Sequence, residues 1–249
     1  MRTQILNTPV DLLSLDQTIA RAELAMRTRR RCQHVALNVA KLVNMRWSAN
    51  LHRDVVEADI IGIDGAGICL AGWLLGMGRL ERVAGIDLMH HLLRTCAEKG
   101  YRPYIFGAKQ DVLDRAIYKI RQQFPTIEIA GYRNGYFNPS DEPDIIAEIR
   151  ASKADCLFVA IVSPIKERFA RSYRNELGVP FVMGVGGSVD VLAGLVKRAP
   201  NWVQRCGLEW AYRISQDPWR LWKRYFVTNS VFALLLAQAL IKRLLQPLG

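Results

Sequence analysis

Several familiar signatures are missing from these 249 residues, and each absence narrows the function. Five cysteines (Cys32, Cys69, Cys96, Cys156 and Cys206) are odd in number and include no C-x-x-C pair. That argues against a disulfide framework or a zinc ribbon and fits a reducing cytoplasmic setting. The four histidines form neither H-x-x-x-H nor H-E-x-x-H, so metal chemistry is unsupported. No D-x-D occurs, which disfavours a metal-dependent sugar-nucleotide site of the common type, and no G-x-S-x-G marks a serine nucleophile. A P-loop is absent, and neither Gly-rich turn completes G-x-G-x-x-G, because Leu70 and Val189 stand where the third Gly belongs. With 18 Gly and 10 Pro the chain is neither collagen-like nor of low complexity, and with half its residues apolar it is not disordered. The N-terminus lacks a basic start followed by an apolar core, so no secretory signal is expected.

Acidic residues are scarce as well: 34 Lys and Arg face 23 Asp and Glu, a net charge of +11. Such a balance calls for an anionic partner, whether nucleic acid, an acidic membrane face or a phosphorylated substrate. The excess is local. Residues 196–249 hold nine bases (Lys197, Arg198, Arg205, Arg213, Arg220, Lys223, Arg224, Lys242 and Arg243) against Glu209 and Asp217, a net +7. The chain therefore divides into a nearly neutral body, residues 1–195, and a basic appendage, residues 196–249.

In the body, short apolar runs alternate with longer amphipathic ones. Strands are predicted at Val35–Val39, Ile60–Ile63, Arg102–Phe106, Ile127–Ile129, Cys156–Val162 and Pro180–Val185. Helices are predicted at Asp16–Arg30, Leu88–Lys99, Gln110–Phe124, Glu142–Ser152 and Ile165–Leu177, the second and last followed by Gly100 and Gly178. This alternation predicts an α/β fold, a largely parallel Rossmann-like sheet flanked by helices, with ligands at the strand C-terminal ends. Four strand-to-helix turns become candidates: Asp64-Gly65-Ala66-Gly67, Gly107, Ser163-Pro164 and Gly184-Val185-Gly186-Gly187-Ser188. Glycines there either let backbone N–H groups approach a phosphate or supply positive φ alone. Asp64, after an apolar strand, suits a general base; an Asp so placed equally suits a cap on the next helix. Asp87 is expected as the N-cap of the helix that follows it, and Arg82 to meet a phosphate or pair with Asp87. Cys69 and Cys156 lie in apolar runs and read as inert core.

The appendage is rich in tryptophan: Trp202, Trp210, Trp219 and Trp222 fall among its bases. That mixture suits a membrane interface, or single-stranded nucleic acid through base stacking. From Tyr225 to Ile241 run 17 uncharged residues, interrupted by Thr228, Asn229, Ser230 and Gln238. This falls short of the roughly 20 residues a bilayer span needs. An interfacial helix with basic ends is expected, or one packed on its own body or another subunit.

In order, these segments resemble the WecG/TagA/CpsF glycosyltransferases over roughly residues 30 to 226. The carrying residues are Asp64-Gly65-Ala66-Gly67, Arg82 to Leu88, Gly135-Tyr136-Phe137, Ser163-Pro164-Ile165-Lys166-Glu167, Gly184 to Asp190 and Ala193-Gly194. Arg198-Ala199-Pro200, Gly207-Leu208-Glu209-Trp210, Tyr212-Arg213 and Pro218 with Arg220, Arg224 and Tyr225 complete the set. The resemblance implies an inverting, metal-independent and cofactor-free transferase with a helical, membrane-docking appendage. Its Asp of D-G-x-G maps onto Asp64 as base. The substrate-binding positions carried over with it are Asn38, Gly65, Gly67, Arg82, Asp87 and Gly107. Tyr136, Lys166, Glu167, Gly186, Gly187, Asp190 and Arg198 extend them. Arg213, Arg220 and Arg224 are implied to stabilise the leaving UDP in place of a metal. Three positions depart from the family pattern: Ile63 where Pro is frequent, Ala36 where Thr is frequent, and Lys166 in place of Gln.

The expected reaction is transfer from a UDP-sugar (N-acetylmannosamine-type, uronate or hexose) to a saccharide on undecaprenyl diphosphate, in bacterial surface polysaccharide biosynthesis. Lys166 could pair with a carboxylated sugar or with a phosphate, so the donor sugar stays open. The expected location is peripheral, on the cytoplasmic face of the bacterial inner membrane, with no nucleic-acid partner and homo-oligomerisation left open. The alternative is a non-enzymatic nucleotide- or nucleic-acid-binding module using the Trp/Arg tail; an NAD-dependent oxidoreductase suffers from the incomplete Gly fingerprint.

Overall fold

In a computed structural model describing residues 1–245, a six-stranded sheet runs in the order β4-β3-β8-β7-β5-β6. The strands are β3 (Cys32–Leu37), β4 (Ile60–Ile63), β5 (Pro103–Gly107), β6 (Gly131–Arg133), β7 (Cys156–Ala160) and β8 (Phe181–Gly184). Every pairing is parallel, as the α/β alternation predicts. β4, β5 and β7 are buried throughout, which is why they read as unbroken apolar runs.

Helices cover both faces. On one face α1 (Leu15–Thr28), α5 (Gly85–Lys99), α6 (Gln110–Gln123) and α9 (Ser188–Leu192) enclose Ile105, Phe158, Phe181 and Met183. On the other, α7 (Glu142–Ala151) and α8 (Ile165–Ser172) enclose Tyr104, Phe106, Leu157 and Val159. Beside them α2 (Val39–Trp47), α3 (Ala49–Val56) and α4 (Ala66–Leu74) close over Val35, Leu37, Ile61 and Ile63. The outer edge of β4 is covered by a hairpin of β1 (Arg2–Ile5) and β2 (Thr8–Asp11), joined antiparallel. Asp11 accepts a hydrogen bond from the Ile61 N–H at 2.8 Å and is itself paired with Arg2, so the edge keeps little unpaired backbone.

Two strand predictions shift. β3 ends at Leu37, because Asn38 caps α2 by accepting from the Lys41 N–H at 3.0 Å, and Val39 is therefore helical. The last edge strand is Gly131–Arg133, not Ile127–Ile129: Ile127 belongs to the core beneath α6, and Tyr104 occupies the space a side chain on Gly131 would need. The fifth predicted helix stops at Ser172, five residues early.

The C-terminal residues form α10 (Asn201–Arg205), α11 (Glu209–Gln216) and the 28-residue α12 (Pro218–Leu245). By length and composition α12 could cross a membrane, and little of its most apolar stretch is buried. Yet Thr228, Phe232 and Leu236, one per turn, are buried, and α12 packs against α2. Phe232 and Leu236 belong to the same cluster as Leu37, Ile63 and Ile68. Phe232→Ala is expected to cost about 3 kcal/mol by cavity formation. Urea unfolding would show it as a lower midpoint at unchanged slope, whereas a loss below about 1 kcal/mol would mean that α12 does not share the core.

Candidate active site

The chain leaves β3 at Asn38 and β4 at Asp64, and the two exits lie against each other. The Asp64 and Gly65 N–H groups both donate to the Leu37 carbonyl, at 2.9 and 3.2 Å. A Cβ on Gly65 would stand 3.0 Å from Asn38 Cα, and one on Gly67 would stand 2.6 Å from Val39 Cγ2. Both glycines of the D-G-x-G segment therefore serve close approach; Gly65 has φ −89°, so left-handed backbone is not the reason for it.

Asp64 Oδ1 accepts from the Gly85 N–H at 2.9 Å, at the start of α5, where the N-cap residue Ala84 offers no side-chain acceptor. The base candidate is thus also a cap, but of α5 and not of the helix that follows it. Its second oxygen, Oδ2, carries no hydrogen bond among the described residues. Arg82 Nε donates to the Asp64 carbonyl at 2.6 Å, and its guanidinium forms an ion pair with Glu209 of α11. Asp87 lies within the first turn of α5, which begins at Gly85, so it is not the N-cap. Its partner is Arg198, held bidentately at 2.5 and 2.6 Å, and not Arg82. Two ion pairs therefore tie the segment around Asp64 to the C-terminal helices. A Cβ on Gly207 would stand 2.9 Å from Ala66 Cβ, which places the α10–α11 turn over the same spot.

Beneath this edge lies a buried charge cluster. Lys41 Nζ is 2.8 Å and Lys166 Nζ 3.2 Å from Glu167 Oε1, with side-chain exposures of 7, 13 and 2% for Lys41, Lys166 and Glu167. Lys41 also donates to the Ala36 carbonyl at 2.7 Å. Burial by itself would raise the Glu167 carboxyl; the Lys41 and Lys166 ammoniums beside it outweigh that and hold the pKa at about 2. Burial and then the Lys41 charge push Lys166 down to about 8. The Lys166 side chain lies across the turn after β8, 3.1 Å from where a Gly184 Cβ would stand. In that turn Gly186 has φ +51°, a conformation suited to glycine. Asp190 faces Gly187, and burial raises its carboxyl above the usual range.

Lys41 was not among the residues expected at the site. Its only signal is the spacing of three from Asn38, legible once a helix is known to start at Val39. Glu209 stood in a family-like segment without a role.

Gly107 and Tyr136 lie elsewhere on the edge. β5 is four strands from β4, roughly 19 Å at the usual strand spacing. Gly107 has φ +135°, and a Cβ there would stand 2.3 Å from the Ala160 carbonyl carbon, so backbone conformation and packing both require a glycine. Tyr136 is exposed beyond it. Of the appendage arginines, Arg220 pairs with Asp217 at 2.5 Å, while Arg213 and Arg224 are exposed with no ion pair among the described residues. The Arg224 charge adds a small further downward push to the Lys166 ammonium. His34, fully buried on β3 against Gly62 of β4, is held neutral by burial, with its pKa at about 4. Among the described residues no group of three or more His, Cys, Asp or Glu could hold a metal ion, and the five cysteines are free.

An open parallel sheet with an acidic residue, Gly-rich turns and cations gathered at its strand C-terminal ends has the layout of an α/β enzyme that binds its ligand at that edge. The chain belongs to the glycosyl transferase WecG/TagA/CpsF family, whose profile matches residues 3–246. Two relatives, from Bacillus subtilis and Bacillus spizizenii, are each named N-acetylglucosaminyldiphosphoundecaprenol N-acetyl-beta-D-mannosaminyltransferase. The first is 39% identical over 161 residues, covering 65% of this chain and 62% of the relative. The second is 40% identical over 181 residues, covering 73% and 68%. The chain thus spans under two thirds of the first relative's length.

Glu167→Gln would leave Lys41 and Lys166 buried side by side without a countercharge, at an expected cost of about 3 kcal/mol. Because the folded Glu167 titrates near 2, below its ordinary 4.5, its contribution is complete above 4.5 and is lost as pH falls toward 2. Chemical denaturation at pH 7 and 3 should show a smaller acid loss in the variant than in the parent; equal losses would remove Glu167 from the account.

Proposed function

We propose that this chain is an inverting, metal-independent glycosyltransferase that moves a sugar from a UDP donor to a saccharide on undecaprenyl diphosphate. The observation that carries the proposal is Asp64: one carboxylate oxygen is committed to the Gly85 N–H, while the other is open at the sheet edge. A base needs that arrangement, oriented through one oxygen and free to accept a proton at the other. Oδ2 takes the proton of the acceptor hydroxyl as that oxygen bonds to the anomeric carbon of the donor. The bond from that carbon to the diphosphate oxygen breaks, and the electron pair leaves with UDP.

The departing charge needs cations. Arg213 and Arg224, unpaired among the described residues, and Arg220 take that role. Arg82 and Arg198 are committed to Glu209 and Asp87, and they act by holding the C-terminal helices over Asp64. Asn38, whose carbonyl oxygen caps α2, keeps its amide N–H groups for the sugar. Gly186, Gly187 and Asp190 line the donor side, with Lys166 at its floor. The names of the two relatives support an N-acetylmannosamine donor and a lipid-linked N-acetylglucosamine acceptor for this chain. Lys166 supports a donor bearing an additional anionic group, such as a uronate.

Membrane association follows from the lipid-linked acceptor and from α12. A docked helix suits α12 better than a spanning one, because spanning would pull Phe232 and Leu236 out of the core. The site then works at the cytoplasmic surface of the inner membrane, where UDP-sugars are available.

The test is transfer from UDP-linked N-acetylmannosamine, its uronate and a plain hexose to N-acetylglucosaminyl-diphospho-polyprenol. Asp64→Asn retains an Oδ1 acceptor for the Gly85 N–H, so the fold and UDP binding should survive while turnover falls by about 10² to 10⁴. Turnover near the parent's would end the assignment of Asp64 as base.

A further inference from the structure

α4 leads away from the Asp64–Gly65 turn and buries only one side. Ile68, Ala71 and Gly72 are buried, whereas Leu70 is 51% and Trp73 60% exposed, with Leu74 exposed beside them. At 100° per residue these three side chains share one arc of the helix. An exposed apolar cluster of this size marks a contact surface. α12 runs alongside in the same direction: Phe232 lies near Gly67 at the start of α4. Past the end of α4, Arg243 covers Gly76 and donates to the Leu74 carbonyl at 3.3 Å. The outward side of α12 exposes Trp219, Phe226, Leu234, Ile241 and Leu244.

The charges on the helices that carry these two strips have one sign. Neither α4 nor α12 contains an acidic residue, while Lys223, Arg224, Lys242 and Arg243 lie on α12 and Arg79 follows α4. A second copy of this chain would bring cations against cations. An anionic lipid surface complements both the apolar strips and their basic borders, and indole rings favour headgroup depth.

We propose that α4 forms half of the lipid-binding surface, with Leu70, Trp73 and Leu74 entering an anionic bilayer beside the outward side of α12. The Asp64 turn is then set at headgroup height by the helix it begins, where the diphosphate of a lipid-linked acceptor lies. This rests on the membrane-docked reading above, and the experiment separates the two.

Full-length protein is sedimented with vesicles of phosphatidylglycerol and phosphatidylcholine. Leu70→Glu/Trp73→Glu should partition about tenfold or more weakly, with its thermal shift by UDP retained. Trp73→Ala, which adds no charge, should weaken partition in the same direction. Tyr118→Glu, on α6 across the sheet, should leave it unchanged. Parental partition in both α4 variants would overturn the proposal. So would a parent that is dimeric without vesicles and a double variant that is monomeric yet still binds them. A parent that ignores these vesicles would overturn the docked reading itself.

Discussion

Much of this molecule depends on the absence of a side chain at Gly67. Val39 occupies the space that a Cβ there would enter and Phe232 lies at van der Waals distance beside it, so three segments meet at one point: the exit of β3, the start of α4 and the middle of α12. The meeting sets where Asn38 caps α2 and where α4 can begin. It also ties a helix more than 160 residues distant in sequence to the loop that carries Asp64. Close approach of this kind has little tolerance, since core side chains cannot yield by more than a few tenths of an ångström without loss elsewhere.

Electrostatics reinforce what packing arranges. Arg82–Glu209 and Arg198–Asp87 each join the body to the C-terminal helices, and both are partly buried, so salt screens them less than it screens surface pairs. The Lys41–Glu167–Lys166 cluster differs in kind, because two cations share one carboxylate and the buried sum is positive. A buried excess charge is tolerated only where something compensates for it. In the proposed reading an anionic part of the donor would supply that compensation, so a cluster costly to the empty protein would favour the loaded one.

The parallel sheet was legible because strands covered on both faces must be apolar throughout, and β4, β5 and β7 are. Asp64 was legible for the same reason, as the first polar residue after such a strand. α2 was not, since Val39 continues an apolar run and only the capping hydrogen bond from Lys41 to Asn38 ends the strand. Lys41 disappeared with it. The partners of Arg82 and Asp87 lie more than 100 residues away, beyond any local pattern, so the nearest opposite charge was the natural but incorrect choice. Gly107 shows a signal with two readings: a glycine after a strand suits a ligand turn and equally marks tight backbone packing, and the Ala160 carbonyl supplies the second.

The charge asymmetry takes a particular meaning from α12. Its buried stripe of Thr228, Phe232 and Leu236 and its exposed strip of Trp219, Phe226, Leu234 and Ile241 are opposite sides of one helix. A helix apolar on both sides but basic at both ends can satisfy the body with one side and lipid with the other, lying flat between them. Crossing the bilayer would satisfy the outer side at the expense of the inner one. The same geometry therefore favours surface docking over spanning and keeps Phe232 packed beside Gly67.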